Sequence, residues 1–245
     1  MRIAIISGAS SGIGKATARE LDSLLLDEIW LLGRNEEHLC ALAQELTTPA
    51  RTFALDLTDT NAIKEIENTL ADGAWAVEYL VLSAGVGYNG NFDSISCENA
   101  KNMINTNCTA LTTLTSIVLP YISSGGHIIN IASSAGFLPQ PGFAVYAATK
   151  AYVISFSRAL RQELKARKIK VTAVCPGPVD TAFFAGLENV KEYKKKYLIS
   201  PERVARGAIK ASHKNKAVYT PTFSMKLIHL MAKILPTSWL LRFYS

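Results

Sequence analysis

The residues Ser7-Gly8-Ala9-Ser10-Ser11-Gly12-Ile13-Gly14 decide the fold. They follow the apolar run 2–7, which reads as a strand, and lead at once into the helix-forming Lys15-Ala16-Thr17-Ala18-Arg19-Glu20. A strand, a glycine turn and a helix in succession make a βα junction. Glycines there let the backbone turn tightly and approach a pyrophosphate, whose charge then sits at the positive end of the helix. The spacing is Gly-x-x-x-Gly-x-Gly rather than the more widespread Gly-x-Gly-x-x-Gly, so the position after the first strand carries as much weight as the letters.

Outward from this turn, strand-like runs at 28–32, 51–55, 79–83, 127–132, 170–174 and 217–219 alternate with longer helical patterns. Such alternation builds βαβ units, and it predicts an α/β fold: one Rossmann-type, doubly wound parallel sheet of about seven strands flanked by helices. No Asp, Glu, Lys or Arg occurs from 102 to 149, which predicts a largely buried helix and strand in mid-chain. Pro120, Gly125, Gly126, Pro139 and Pro141 interrupt that stretch too often for a membrane span.

With 245 residues, 49% hydrophobic and 19% charged, the chain has ordinary globular composition, which excludes disordered, fibrous and repeat classes. Cys40, Cys97, Cys108 and Cys175 show no Cys-x-x-Cys spacing and form no cluster with the histidines, so no metal site is expected. Scattered thiols and the absence of a signal-like start point to the cytoplasm. The net charge of +6 raises nucleic acid as a partner, but the basic run 191–196 contains Glu192 and Tyr193 and reads as a solvated face.

The end of the second strand reports the phosphate preference of a dinucleotide site, through an acid for a ribose 2′-hydroxyl or an Arg for a 2′-phosphate. It reads Leu31-Leu32-Gly33-Arg34-Asn35, with no carboxylate, so Arg34 favours NADP(H), with NAD(H) as the alternative. Farther on, Tyr146-Ala147-Ala148-Thr149-Lys150 places a phenol and an ammonium on one helix face. A nearby cation favours the phenolate, so Lys150 is expected to lower the pKa of Tyr146. Ser133 lies thirteen residues upstream at the end of the strand 127–132, the sheet edge where ligands bind.

These motifs together resemble the short-chain dehydrogenase/reductase family. Gly8, Gly12 and Gly14, Asp56-Leu57, Ser83-Ala84-Gly85, Asn107, Ser133, Tyr146 with Lys150, and Pro176-Gly177-Pro178-Val179-Asp180-Thr181 stand in the family's order and at its spacings. The resemblance implies hydride transfer between NADP(H) and a carbonyl or alcohol substrate. Tyr146 would exchange the proton, Ser133 would hydrogen-bond the substrate oxygen, Lys150 would hold the nicotinamide ribose, and Asn107 would position a water. Further cofactor contacts fall to Gly8, Ser10, Ser11, Gly12, Ile13, Gly14, Arg34, Asp56 at the adenine, Leu57, Ala84, Gly85, Pro176, Gly177, Val179 and Thr181. Asp56 and Thr181 also read simply as caps of their own turns. The chain departs from the family at Leu82-Ser83, where Asn-Asn is common, and at Ser11, where some NADP(H) members carry a basic residue. A second reading, a cofactor-binding sensor or scaffold without turnover, needs neither Tyr146 nor Ser133.

The domain expected is 1–221, an NADP(H)-binding catalytic unit with a lid near 182–200 in which Phe183, Phe184, Leu187 and Tyr197 suggest an apolar pocket. Residues 222–245 extend it as an amphipathic tail. Its helix-spaced apolar residues read first as core or subunit interface, and Trp239, Leu240, Leu241 and Phe243 leave contact with a membrane surface as the second reading. Homodimers or homotetramers are what the family implies.

Overall fold

Along β1 (Arg2–Ser7) side chains alternate between two apolar cores, Ile3 and Ile5 entering one, Ala4 and Ile6 the other. A strand buried on both faces belongs in a parallel sheet covered by helices on each side. The computed structural model, which describes residues 1–185 and 198–241, has that architecture. With β1, the strands β2 (Glu28–Gly33), β3 (Ala50–Ala54), β4 (Ala76–Leu82), β5 (Ile122–Ile131), β6 (Lys170–Val174) and β7 (Val218–Tyr219) form one parallel sheet. Its order is β3-β2-β1-β4-β5-β6-β7. The chain runs outward from β1 to β3 and then crosses to β4, so the switch point lies between β1 and β4. Connections diverge there and open a crevice at the carboxyl ends.

One face of the sheet packs on α1 (Gly12–Leu21), α2 (Glu36–Glu45) and α8 (Pro201–His213) through Leu21, Leu39, Leu42 and Val204. The other packs on α3 (Thr60–Ala71), α5 (Leu111–Val118) and α6 (Ala144–Glu163) through Ile66, Leu114 and Val153. A helix α4 (Cys97–Ile104) continues into α5 through a π-helical stretch, Asn105–Ala110. Near the end lie a short α7 (Ala182–Ala185), α9 (Phe223–Ile234) and α10 (Thr237–Leu241).

Two sequence expectations need correction. Strand β5 begins five residues before the predicted 127, because the polar Ser123-Ser124-Gly125-Gly126 hides its start; Ile122 pairs with Val77. The uncharged stretch 102–149 is buried along β5 from His127 to Ile131, but the α4–α5 helix exposes an outer side that includes Ile104 and Ser116. Asn, Thr and Ser meet water without carrying charge, so the absence of ionisable residues did not require burial.

Midway along β4 and β5, Tyr79 stacks on its sheet neighbour His127 with centroids 4.8 Å apart. The Tyr79 hydroxyl pairs with His213 Nε2 at 2.7 Å, and His127 Nδ1 with Ser212 Oγ at 2.7 Å. Burial, aided by Lys170 and His213, pushes the His127 imidazole down to about 4. The unfolded chain therefore takes up a proton between about pH 6.5 and 4 that the folded chain refuses. Stability contributed by neutral His127 is full above that window and falls by about 3 kcal/mol as the pH drops through it. Urea unfolding at pH 7.5 and 4.5 is expected to show this loss in the wild type and a smaller one in His127→Gln.

Candidate active site and cofactor cleft

Gly8 leaves β1 at φ +68°, a left-handed conformation suited to glycine, and a Cβ there would lie 2.8 Å from the Ala84 nitrogen. Gly14 packs on the Gly8 carbonyl with no room for a Cβ, so α1 starts directly under the turn. Ser11, at the N-cap of α1, makes no side-chain cap. The first amides of α1 thus face outward as donors at the positive end of the helix, a cradle that fits a pyrophosphate. Ser7 Oγ accepts hydrogen bonds from Ser83 N at 3.1 Å and Ala84 N at 3.2 Å, joining β1 to the loop after β4 across the switch point. It thereby ties down the segment where Leu82-Ser83 replaces the family's usual Asn-Asn.

A cavity of about 720 Å³ opens along the carboxyl ends of the strands. Gly8, Ser10, Ser11, Gly12, Ile13, Arg34, Asp56, Leu57, Ala84, Gly85, Ser133, Tyr146, Lys150, Pro176, Gly177, Val179 and Thr181 all line it. Of the described residues expected to be catalytic or to hold the cofactor, only Gly14 and Asn107 lie behind its wall, both buried. Arg34 is exposed at one end, beside Asp56. Burial raises the Asp56 carboxyl, but hydrogen bonds from the Thr58 amide and hydroxyl, with the Arg34 charge, outweigh it and hold the group below its usual range. Asp56 is therefore both a turn cap and a lining group. Thr181 Oγ1 donates to the Val179 carbonyl at 3.3 Å while its methyl side faces Gly12.

At the other end, Tyr146 and Lys150 stand one turn apart on α6, 7% and 5% exposed. Lys150 Nζ lies 5.7 Å from the Tyr146 ring centroid and donates to the Ile131 carbonyl at 3.0 Å. Ser133 caps a short 3₁₀ turn, its Oγ accepting from Ala135 N at 3.1 Å, which leaves its own proton free to donate. Burial lifts the Tyr146 phenol to about 12, opposed by a hydrogen bond with Ser133, and lowers the Lys150 ammonium to about 8. The expectation that Lys150 brings the phenol down is not met: burial raises it, and Ser133 rather than Lys150 opposes the rise.

Asn107 sits in the π-helical stretch, an irregularity frequent at functional sites. Its Nδ2 donates to the Val86 carbonyl at 2.8 Å and Thr149 Oγ1 at 3.0 Å, and its Oδ1 accepts from Val86 N at 2.9 Å. The amide clamps the loop after β4 to α6, and one lone pair of Oδ1 is left for a water. Thr149 in turn donates to the Tyr146 carbonyl at 2.8 Å, a support that sequence reading missed although it lies within the Tyr-x-x-x-Lys string.

Sequence reading also missed Gln140 and Phe143, and it did not place Thr222, Ser224, Met225 and Ile228 of the tail in the cavity wall. Phe183 reaches the wall, its ring 5.5 Å from that of Tyr146. The Phe184 side chain, Leu187, Tyr197, most of the lid and the basic run 191–196 lie outside the described residues.

The family model for short chain dehydrogenases matches residues 2–192. An uncharacterised oxidoreductase of Staphylococcus epidermidis is 35% identical over 87% of this chain and 94% of its own. Sulfoacetaldehyde reductase 2 of Chromohalobacter salexigens is 36% identical over 74% of each chain. Among solved structures, the short-chain dehydrogenase from Sphingobium yanoikuyae in complex with NADPH superposes with a TM-score of 0.82. It shares 28% identity and covers 95% of this chain and 93% of its own. The glycine cradle, the switch-point cavity and the Tyr146–Lys150 pair thus belong to a chain of the short-chain dehydrogenase/reductase family, an NAD(P)(H)-dependent oxidoreductase.

Proposed function

We propose that the protein is an NADP(H)-dependent carbonyl reductase whose catalytic residues are Ser133, Tyr146 and Lys150, with Asn107 positioning α6. The observation that carries this reading is the burial of Tyr146 beside Lys150 and Ser133 at the inner end of a cavity whose outer end holds Arg34. When bound, the nicotinamide supplies the hydride to the carbonyl carbon. Tyr146 gives its proton to the carbonyl oxygen, and the free Ser133 proton bonds the same oxygen and draws charge toward it. Burial raises the phenol, so at neutral pH Tyr146 carries the proton that reduction consumes. Lys150, lowered by burial to about 8, keeps its charge at neutral pH and steadies the phenolate left behind.

Arg34 supports the 2′-phosphate preference, and a single domain over 1–221 with 222–245 as its extension is part of the same reading. Leu138, Phe143, Phe183, Met225 and Ile228 in the wall favour an apolar carbonyl substrate. Assembly into homodimers or homotetramers fits the exposed Ile104 on α4 and Tyr152 on α6. Purified protein is to be mixed with NADPH and a panel of aldehydes, ketones, quinones and 3-oxoacyl thioesters. Loss of NADPH absorbance with at least one apolar carbonyl is the expected result; tight NADPH binding without turnover on any of them overturns it.

A further inference from the structure

Helix α9 has two unlike sides. Met225 and Ile228 face the cavity, and Met225 packs within 3.2 Å of where a Gly177 side chain would begin. Phe223, Leu227, Leu230 and Ile234, spaced by four, three and four residues, stack along the opposite side. They are 80%, 48%, 54% and 68% exposed, and Trp239 of α10 is 59% exposed while its neighbour Leu240 is buried against the body. A folded domain rarely leaves such a row to water without use. The sequence predicts the tail's apolar residues to be core or subunit interface; on α9 none is fully buried, and the inner Met225 and Ile228 are half-buried at the cavity.

Charge points to what covers the other side. Lys226 and Lys233 are exposed along one flank of the apolar row. From Arg203 to Ser245 the sequence holds eight Lys or Arg and no Asp or Glu. Five apolar side chains offer on the order of a few hundred Å², short of the roughly 800 Å² per partner of a stable protein interface. An apolar row with aromatics at its ends and lysines beside it is what lies flat on an anionic lipid surface. No helix among the described residues is long and apolar enough to cross a membrane.

We infer that α9 and α10 seat the protein on an anionic lipid surface, with Phe223, Leu227, Leu230, Ile234 and Trp239 in the acyl boundary. The inner side of the same helix is the cavity wall, so docking sets that wall against the lipid. An apolar carbonyl compound dissolved there is then the substrate class at hand, a consequence that rests on the reductase reading.

The test is co-sedimentation of the full chain with vesicles of phosphatidylcholine alone and of phosphatidylcholine with phosphatidylserine. Binding to the anionic vesicles is expected. The Leu227→Asp/Leu230→Asp variant, which replaces no cavity-lining residue, is expected to bind about tenfold or more weakly. Each of Lys226→Ala and Lys233→Ala is expected to cost about fivefold, an effect that added salt removes. NADPH turnover on a soluble carbonyl, unchanged in the Leu227→Asp/Leu230→Asp variant, certifies its fold. Wild-type turnover without sedimentation on either vesicle overturns the docking alone. Sedimentation without turnover overturns the reductase reading alone. A dimer in sedimentation velocity that the same variant dissociates, with no vesicle binding, assigns the row to a second copy and overturns the lipid surface.

Discussion

Tyr146→Phe is expected to lower kcat/KM for carbonyl reduction by about three orders of magnitude, within the 10²- to 10⁴-fold range of a positioned proton donor. The substitution removes one oxygen from a buried ring that packs on Phe143 and Phe183, at centroid distances of 4.5 and 5.5 Å, so the apolar contacts survive. Ser133 Oγ keeps its tie to Ala135 N, and its own proton remains available to the substrate oxygen. NADPH affinity is therefore expected to stay near wild type while kcat falls, the pattern of an interaction made only in the transition state. Single-turnover kinetics with NADPH fluorescence as a separate binding readout checks this. A variant that binds cofactor and reduces substrate within tenfold of wild type removes Tyr146 from the chemistry.

Much of this geometry was legible because its signals are local. The glycine turn, the Tyr146–Lys150 spacing and Arg34 at a strand end each depend on residues within one βα unit, and parallel-sheet topology then brings the strand ends to one edge. What was not legible depends on contacts between distant parts of the chain. Asn107 meets Val86 and Thr149, 21 and 42 positions away, and its amide is largely consumed by that clamp. The pairing of His127 with Ser212 spans 85 positions and leaves no periodic trace. The tail's apolar residues announced burial, but amphipathic periodicity does not say which side meets the protein. The Tyr146 pKa follows the same logic: a four-residue spacing reveals the cation, while the desolvation that raises the phenol is set by the whole surrounding core.

Arg34→Ala is expected to raise the KM for NADPH by about ten- to a hundredfold and to leave that for NADH unchanged, since a hydrogen-bonded contact to a charged group is worth about 1.5–3 kcal/mol. The size of the effect follows from how few cations serve the cavity. Among its described lining residues only Arg34 and Lys150 are basic, and Lys150 is buried at the opposite end, tied to Ile131. Ser11 supplies a hydroxyl where a second cation would share the load. Asp56 adds to the loss, because without the nearby Arg34 charge its carboxylate faces the incoming phosphate with no cation beside it among the described lining residues at that end. Arg34→Asp carries this further: it removes the phosphate contact, adds like-charge repulsion, and offers a ribose 2′-hydroxyl an acceptor, so the preference is expected to invert toward NADH. The ratio of kcat/KM values for NADPH and NADH, measured at fixed carbonyl concentration and low salt, reads the change directly. An unchanged ratio in both variants places 2′-phosphate recognition elsewhere in the cleft.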